Sequence, residues 1–186
     1  LGYDSIDNKG DDAGEMANLG TVYLGSPAIA IAAVKCWGMN NYGQLGYDGW
    51  YHTCALLESG SIKCWGFNNY GQLGYDSTDE KGNAAGEMVN LGSVYLGSPA
   101  VAIAVGSWHT CALLVSGSMK CWGMNNLGQL GYNSTDAKGD TAGDMASLGT
   151  AYLGALVTSI AAGGQHTCVL LEGGSAKCWG HGIDGQ

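Results

Sequence analysis

A repeat of 57 residues constrains the fold of this 186-residue chain more than any other feature. Three motifs recur. Leu-Gly-Tyr-Asp/Asn-Ser starts at Leu1, Leu73 and Leu130. His-Thr-Cys starts at His52, His109 and His166, and Cys-Trp-Gly starts at Cys64, Cys121 and Cys178. A fixed period of this length is typical of stacked supersecondary units that bury apolar surface against one another. We therefore predict one repeat array over residues 1–186, divided into repeats 1–72, 73–129 and 130–186.

The first repeat is longer than the others because it contains a duplicated insert, residues 34–48. The insert copies residues 62–76 at thirteen of fifteen positions, and without it the first repeat is also 57 residues long. Replication slippage or misassembly of a repetitive gene explains the insert more simply than a functional extra strand does.

Within each repeat the sequence favours short β-strands. In the second repeat, four apolar segments are separated by glycine-containing breaks, and each is too short and too poorly capped for a helix. These segments are Met88–Leu96, Pro99–Val105, Trp108–Leu114 and Met119–Trp122. Apolar residues on both faces indicate that neighbouring sheets cover each sheet. The predicted class is all-β, a β-propeller-like array of four-stranded antiparallel blades.

The cysteines fit a hairpin in every repeat. Folding the chain at Ser59 places Glu58–Gly60 in a three-residue loop and brings Cys54 opposite Cys64, within reach of a disulfide. Repetition then predicts the pairs Cys111–Cys121 and Cys168–Cys178. Cys36 is left unpaired, because the insert duplicates the Cys-Trp-Gly strand without the His-Thr-Cys strand that supplies the partner.

Three disulfides favour an oxidising compartment, so we expect an extracellular or cell-surface protein. Zinc bound by cysteine and histidine is the rival interpretation, but no C-x-x-C spacing supports it and no metal site is expected. The chain opens at Leu1 without a charged and then apolar leader, so any signal sequence is expected to have been removed or to lie outside it.

The charge and hydropathy of the chain argue against some classes of partner. The formal net charge is −9, with sixteen acidic residues against seven lysines and no arginine. Binding to nucleic acid or to an anionic membrane surface needs a basic patch, so neither is expected. Apolar runs are too short for a membrane-spanning helix, so we expect no membrane insertion.

The pattern G-x-x-H-T-C-A-L-L-x-x-G-x-x-K-C-W-G-x-N-x-x-G-Q-L-G resembles the regulator of chromosome condensation repeat, in the cysteine-paired variety of secreted proteins. It is nearly complete at 49–74 and 106–131, and it continues with departures from residue 163. The resemblance implies a propeller, usually of seven blades. With three full repeats, we expect a partial propeller or open arc of about three to four blades. The two ends rejoin as Gly-Gln-Leu-Gly-Tyr-Asp, which suggests a piece of a longer array or a unit that continues into a neighbouring chain.

Side chains that could contact a partner or carry chemistry are few. Trp50, Tyr51 and Trp108 fall at the loop end of a blade, where aromatic residues can anchor a partner, although core packing is the plainer interpretation. His52, His109 and His166 are interpreted as structural groups that bond backbone, because three equivalent copies are unlike an active site. No catalytic residue is predicted.

The acidic connectors between blades offer two further possibilities. Clustered carboxylates can chelate calcium, and the candidates are Asp4, Asp7, Asp76, Asp79 and Asp136. Their spacing does not match an EF-hand, so solvated loops are favoured and no cofactor other than calcium is considered. Asn133 begins a glycosylation sequon, Asn-Ser-Thr.

Three functions remain open from the sequence. The first is a non-enzymatic extracellular interaction or scaffold module that binds a protein partner. The second is a subunit of an extracellular filament or surface fibre that self-associates through blade edges. The third, nucleotide exchange on a small GTPase, is the best-known role in the family, and the cysteines and negative charge count against it.

Overall fold

Three antiparallel sheets make up the part of the chain that our computed structural model describes, residues 21–33 and 52–182. Each sheet has three strands in chain order, and we call the sheets blades 1, 2 and 3. Their strands are β1 (Ala28–Ala33), β2 (His52–Leu57) and β3 (Ile62–Gly66); β4 (Ala100–Val105), β5 (His109–Leu114) and β6 (Met119–Gly123); β7 (Val157–Ala162), β8 (His166–Leu171) and β9 (Ala176–Gly180). One helical turn, α1 (Asp144–Ser147), lies between blades 2 and 3 in the sequence. The predicted all-β class is confirmed.

The blades stack through the strands that begin them. Strand β4 contacts β1 and β2, and β7 contacts β4 and β5 in the same way. In blade 2 the alternate faces of β5 are both buried, as the apolar pattern His-Thr-Cys-Ala-Leu-Leu requires. The arrangement is that of adjacent propeller blades, as predicted.

A tight hairpin fixes the register of each blade. In blade 1, Gly60 adopts φ +79°, a left-handed conformation that an L side chain rarely adopts, and its N–H bonds the Leu57 carbonyl at 2.9 Å. The turn pairs Cys54 with Cys64 across β2 and β3. Equivalent disulfides join the other two blades, and all three pairs are those that the hairpin geometry predicts: Cys54–Cys64, Cys111–Cys121 and Cys168–Cys178.

The prediction of four strands per blade is wrong, because the segment Met88–Leu96 is not a strand. It starts within a turn and continues as irregular chain without ladder pairing. Its amide at Val94 donates one hydrogen bond to the Ile62 carbonyl of β3, at 2.8 Å. The segment therefore runs beside β3 and touches its edge at one point, although its valines and tyrosine have strand-like composition.

Three separate groups cover the outer edge of β3 where a fourth strand would lie. Val94 bonds Ile62, the Tyr75 hydroxyl accepts the Cys64 amide at 2.9 Å, and Lys81 forms an isolated bridge with Gly66. In blade 2 the same positions are covered in the same way, by Ala151 on Met119, Tyr132 on Cys121 and Lys138 on Gly123. Each alternate residue of these two strands thus has a partner, which protects an edge that would otherwise template strand addition.

The connecting segments act as straps around the blades they follow. We call residues 73–96 strap 1 and residues 130–153 strap 2. Met88 and Leu91 of strap 1 pack on Trp65 in blade 1. Met145 and Leu148 of strap 2 lie in the core between blades 1 and 2, together with Trp122 and the Cys54–Cys64 disulfide. Apolar residues of the straps therefore fill the space between blades.

Several sequence predictions concern residues outside the described ranges. These are the insert 34–48 with its unpaired Cys36, the aromatic residues Trp50 and Tyr51, and the candidate calcium ligands Asp4 and Asp7. They stay predictions.

Burial of the disulfides predicts their order of reduction. Cys111 and Cys121 are fully buried between blades, whereas Cys178 is exposed on blade 3. Mild reductant is therefore expected to open Cys168–Cys178 in the folded protein and to leave the other two bonds intact until the chain unfolds. Alkylation followed by peptide mass mapping measures this order. Simultaneous reduction of all three bonds under native conditions would contradict it.

Candidate interaction surface

A buried hydrogen-bond network joins each blade to the next. His52 Nε2 lies 2.6 Å from the Thr110 hydroxyl of blade 2. That hydroxyl donates to the Gln72 carbonyl at 2.9 Å, and the Trp122 indole N–H donates to the same carbonyl at 3.0 Å. Because the single hydroxyl hydrogen points to the Gln72 carbonyl, the Thr110 oxygen accepts a hydrogen bond from the Nε2–H group of His52.

The same network links blades 2 and 3. His109 Nε2 lies 2.9 Å from the Thr167 hydroxyl, which donates to the Gln129 carbonyl at 2.8 Å. The Trp179 indole also donates to this carbonyl, at 3.0 Å. Both indoles have the carbonyl partner that core packing requires. The histidines bond a threonine hydroxyl of the adjacent blade, whereas the sequence predicts a bond to backbone.

His52 and His109 are structural because no substrate can reach them. His52 and His109 are buried, and burial lowers the pKa of His52 to about 3 and that of His109 to about 4, each with a smaller contribution from the next histidine along the array. Both imidazoles are therefore neutral at ordinary pH. Their Nδ1 atoms are buried and have no hydrogen-bond partner in the described part of the chain, so protonation there has no acceptor to offset it.

Trp108 is half-buried and packs on an aromatic residue of the preceding repeat. Its ring lies 6.0 Å from that of Tyr70, which in turn meets Phe67 edge-on at 6.4 Å. Aromatic contacts of this kind stabilise the loop end of the blade. Trp108 as a whole is partly exposed, and its predicted contact with a partner stays a prediction.

A row of exposed tyrosines is a surface that the sequence analysis did not single out. Tyr95 and Tyr152 occupy equivalent positions in straps 1 and 2 and are 61% and 94% exposed. Tyr23 has the same position one repeat earlier and is also 61% exposed. The signal in the sequence was the motif Val/Ala-Tyr-Leu-Gly, in which the residues on either side of tyrosine pack inwards while tyrosine alone points outwards. Each repeat thus exposes one tyrosine side chain to solvent at this position.

Several carboxylates of the acidic connectors accept hydrogen bonds from backbone amides of the connectors. Glu87 accepts the amides of Gly82, Asn83 and Ala84 at 2.9 to 3.1 Å. Asp76 accepts the amides of two residues of strap 2, Gly143 at 3.0 Å and Met145 at 2.8 Å. Because these oxygens already satisfy amides, the acidic motif has a structural role at these two positions.

The remaining candidate calcium ligands are dispersed. Asp79 and Asp136 lie on exposed parts of straps 1 and 2. Across residues 21–33 and 52–182, no three histidine, cysteine, aspartate or glutamate side chains are grouped so that they could hold a metal ion. Calcium binding, which also involves residues outside these ranges, stays a prediction.

Asn133 lies exposed on strap 2 and adopts φ +53°. The side chain is therefore accessible, and glycosylation of this sequon stays a prediction. In the described residues there is no helix whose length and apolar character suit a bilayer crossing.

Comparison with known proteins matches the repeat and the fold. The family model for the regulator of chromosome condensation (RCC1) repeat matches residues 49–72, 100–129 and 157–186. The probable E3 ubiquitin-protein ligase HERC4 of Homo sapiens is 32% identical over 165 residues, which cover 88% of this chain and 12% of that protein. The chain therefore spans only a small part of the length of the curated relatives it matches.

Two solved structures share the arrangement of blades. Human WBSCR16 covers 97% of this chain and superposes with a TM-score of 0.65 at 16% identity, over 40% of its own length. Prp20p from Saccharomyces cerevisiae, a protein that binds Gsp1p and histones, covers 71% of this chain with a TM-score of 0.54 at 22% identity, over 31% of its own length. At these identities the likeness establishes the fold.

Proposed function

Because this chain belongs to the family of proteins built from regulator of chromosome condensation (RCC1) repeats, we propose that it is a non-enzymatic protein-interaction module that works outside the cell. The single observation that carries the proposal is the row of exposed tyrosines Tyr23, Tyr95 and Tyr152. Tyrosine is enriched at interface hot spots because it buries a large area at low cost in side-chain entropy and keeps a hydroxyl for hydrogen bonding.

Rigidity of the support favours binding by these tyrosines. Each tyrosine follows a residue that packs between blades, such as Val94 before Tyr95 and Ala151 before Tyr152. A side chain anchored on a packed scaffold loses less entropy when it binds than one on a mobile loop. The disulfide in each blade stabilises that scaffold further.

The partner's chemistry follows from charge. The chain carries a net charge of −9, and residues 1–24 together with the two straps contain twelve of its sixteen acidic residues. A partner with a basic face is attracted over long range and bound faster at low salt. We therefore expect a basic protein surface as the ligand.

The disulfides support the extracellular location. Four of the paired cysteines are completely buried and bonded between adjacent strands. Intact mass of protein taken from producing cells tests this directly. A mass about 6 Da below that of the fully reduced chain is expected, since each bond removes two hydrogens. Seven free thiols in native material would contradict the extracellular assignment.

The tyrosine row is tested by quantitative capture. The immobilised chain is exposed to the secreted fraction of producing cells beside a triple variant, Tyr23→Ser, Tyr95→Ser and Tyr152→Ser. Val115→Ser is the matched control, because Val115 is an apolar residue of comparable exposure, 60%, that is not part of the row. Proteins bound by the wild type and the control are expected to fall at least about tenfold with the triple variant, as hot-spot loss predicts. Equal capture by all three would refute a role for the row.

A second candidate is a self-associating structural subunit, favoured by the exposed face of blade 3. Leu170 is 42% exposed there, whereas the equivalent Leu56 and Leu113 are buried by the next blade. Addition of a strand along the whole edge of β3 or β6 is disfavoured, because strap groups already cover those edges. Association would therefore use blade 3.

Nucleotide exchange on a small GTPase is the least favoured candidate. The negative charge and the absence of arginine that argued against it at the sequence level still do so. Measurable release of a bound guanine nucleotide from a GTPase in the presence of the chain would revive it.

A further inference from the structure

A groove lies between the hairpin loop of blade 1 and the chain that leads from strap 1 into blade 2. It holds about 380 Å³, a volume typical of sites for small molecules. One wall is the hairpin loop, residues 59–61, and the other is formed by residues 93–99. Both walls belong to the junction of two successive blades, so the groove is a feature of the repeat itself.

Backbone hydrogen bonds join the two walls at both ends of the groove. The Val94 amide donates to the Ile62 carbonyl at 2.8 Å, and the Ala100 amide donates to the Gly60 carbonyl at 2.8 Å. Gly60 also lies against Pro99, so close that an added Cβ would be 2.6 Å from the proline Cβ. The groove is therefore preformed, and a ligand that enters it does not have to order its walls.

Hydroxyl groups line the groove. Each of them can both donate and accept a hydrogen bond. None of the lining residues within 21–33 and 52–182 carries a charged side chain, so the groove is suited to a neutral ligand. The residues that contribute the hydroxyls are Ser59, Ser61, Ser93, Tyr95 and Ser98.

Tyr95 adds an aromatic surface to the groove. It is 61% exposed, while the residues on either side of it, Val94 and Leu96, are buried and hold it in place. The face of an aromatic ring carries partial negative charge, so it attracts the weakly positive C–H bonds of a ligand that lies against it. The groove therefore combines hydroxyl groups with one flat apolar surface.

The wall formed by residues 93–99 does not suit an added peptide strand. Gly97 adopts φ +74°, a left-handed conformation that interrupts extended chain. Its N–H and C=O groups therefore do not follow the regular order that strand addition requires. Residues 95–98 make no hydrogen bond to any other described residue, so their backbone groups are available singly. A ligand that makes several separate hydrogen bonds fits this wall better than a peptide main chain.

We propose that this groove binds a neutral pyranose residue of a saccharide. The face of the sugar ring that carries C–H bonds lies on the Tyr95 ring, and the sugar hydroxyls exchange hydrogen bonds with the serine hydroxyls and the free backbone groups. A sugar suits the groove because it has an apolar face, hydroxyls that donate and accept, and no charge that would be left unpaired. Free polysaccharides and glycans attached to proteins both contain such residues.

The next repeat forms an equivalent junction with one hydroxyl fewer. The Val157 amide donates to the Gly117 carbonyl at 2.8 Å, as Ala100 does to Gly60 in the first groove. Tyr152 is again exposed, but an alanine stands where the first groove has a serine at position 98. We therefore expect the sugar to bind more weakly there than beside Tyr95.

Titration with neutral tetrasaccharides tests the site. Isothermal titration calorimetry with the β-linked tetrasaccharides of glucose, N-acetylglucosamine, mannose and xylose is expected to show binding of at least one of them. Tyr95→Ser is expected to weaken that binding at least about tenfold, since the stacking surface is lost. Ser59→Ala combined with Ser98→Ala is expected to weaken it about fivefold or more, since two hydrogen bonds are lost. Val89→Ser, a change of similar exposure outside the groove, is expected to bind as the wild type does.

The two sources of the sugar are separated with a glycoprotein that carries neutral, mannose-rich glycans. Capture that is lost after enzymatic removal of the glycans assigns the groove to attached glycans, whereas tetrasaccharide binding without such capture assigns it to free polysaccharide. No binding of any tetrasaccharide and no glycan-dependent capture would overturn the proposal, as would equal binding by the wild type and both groove variants. Capture that needs Tyr95 but survives removal of the glycans would show that the groove takes protein instead. The saccharide is a ligand beyond the proposed protein partner, and because the two are measured separately, either proposal can fail while the other stands.

Discussion

Lowering the pH from 7 to 4 is expected to destabilise the folded protein by several kcal/mol, because His52 and His109 resist protonation in their buried sites. Burial and the neighbouring histidine lower their pKa values to about 3 and about 4. In the unfolded chain both stay near a pKa of 6.5 and take up protons first. Stability that is complete above pH 6.5 is therefore lost as the pH falls toward the folded-state values. At about 1.4 kcal/mol per pKa unit, each histidine accounts for roughly 3 kcal/mol by pH 4.

Chemical denaturation at intervals across this range measures the effect, and His109→Gln isolates it. Glutamine does not titrate and keeps an N–H donor for Thr167. Below pH 6.5 the free energy of unfolding of the variant is therefore expected to fall less steeply than that of the wild type, by about 1.4 kcal/mol per pH unit. Burial raises the pKa of Glu80 and of Asp140, which acts in the opposite direction. Their contribution is the same in both proteins and cancels in the difference. An unchanged slope in His109→Gln would show that the histidine is not the titrating group.

Replacing Trp122 with alanine is expected to lower the free energy of unfolding by about 4 to 5 kcal/mol, near the upper limit for a core aromatic residue. The indole is completely buried between blades 1 and 2, and its N–H bonds the Gln72 carbonyl. Alanine leaves a cavity among the apolar side chains of both blades and of strap 2. Urea denaturation monitored by far-ultraviolet circular dichroism measures the change.

Two matched variants separate packing from hydrogen bonding. Trp122→Phe keeps an aromatic ring and removes the donor, so a loss of about 1 to 2 kcal/mol is expected. Trp179→Ala removes the equivalent indole from blade 3, where it makes the same carbonyl bond but is only half-buried. At concentrations where the chain is monomeric, a loss of about half that of Trp122→Ala is expected. Equal losses at the two positions would show that burial between blades is not the source of the stability.

Local chemistry was enough to predict the hairpins and their disulfides. The spacing of Cys54 and Cys64 about a glycine turn depends only on neighbours within one hairpin, so repetition carried it through the chain. The strap was missed because Met88–Leu96 has the composition of a strand, while its pairing depends on groups elsewhere. Tyr75 and Lys81 already cover most of the β3 edge, so one point of contact is left for Val94.

The candidate site was predictable only in part, for a similar reason. The structural role of the histidines followed from their repetition, yet their partner is a threonine of another blade, 58 residues away. The outward direction of Tyr95 and Tyr152 is set by the burial of their neighbours between blades. Only the packed arrangement shows which residue of each Val/Ala-Tyr-Leu triplet faces solvent.

The strap that covers each blade edge has an evolutionary consequence. Because a repeat carries the groups that close the edge of the blade before it, recombination that adds or removes whole 57-residue units leaves every internal blade sheltered. Genes of this kind can change in length without creating new aggregation-prone surfaces. Their products then differ in how many tyrosines they display, and so in the size of the partner they can span.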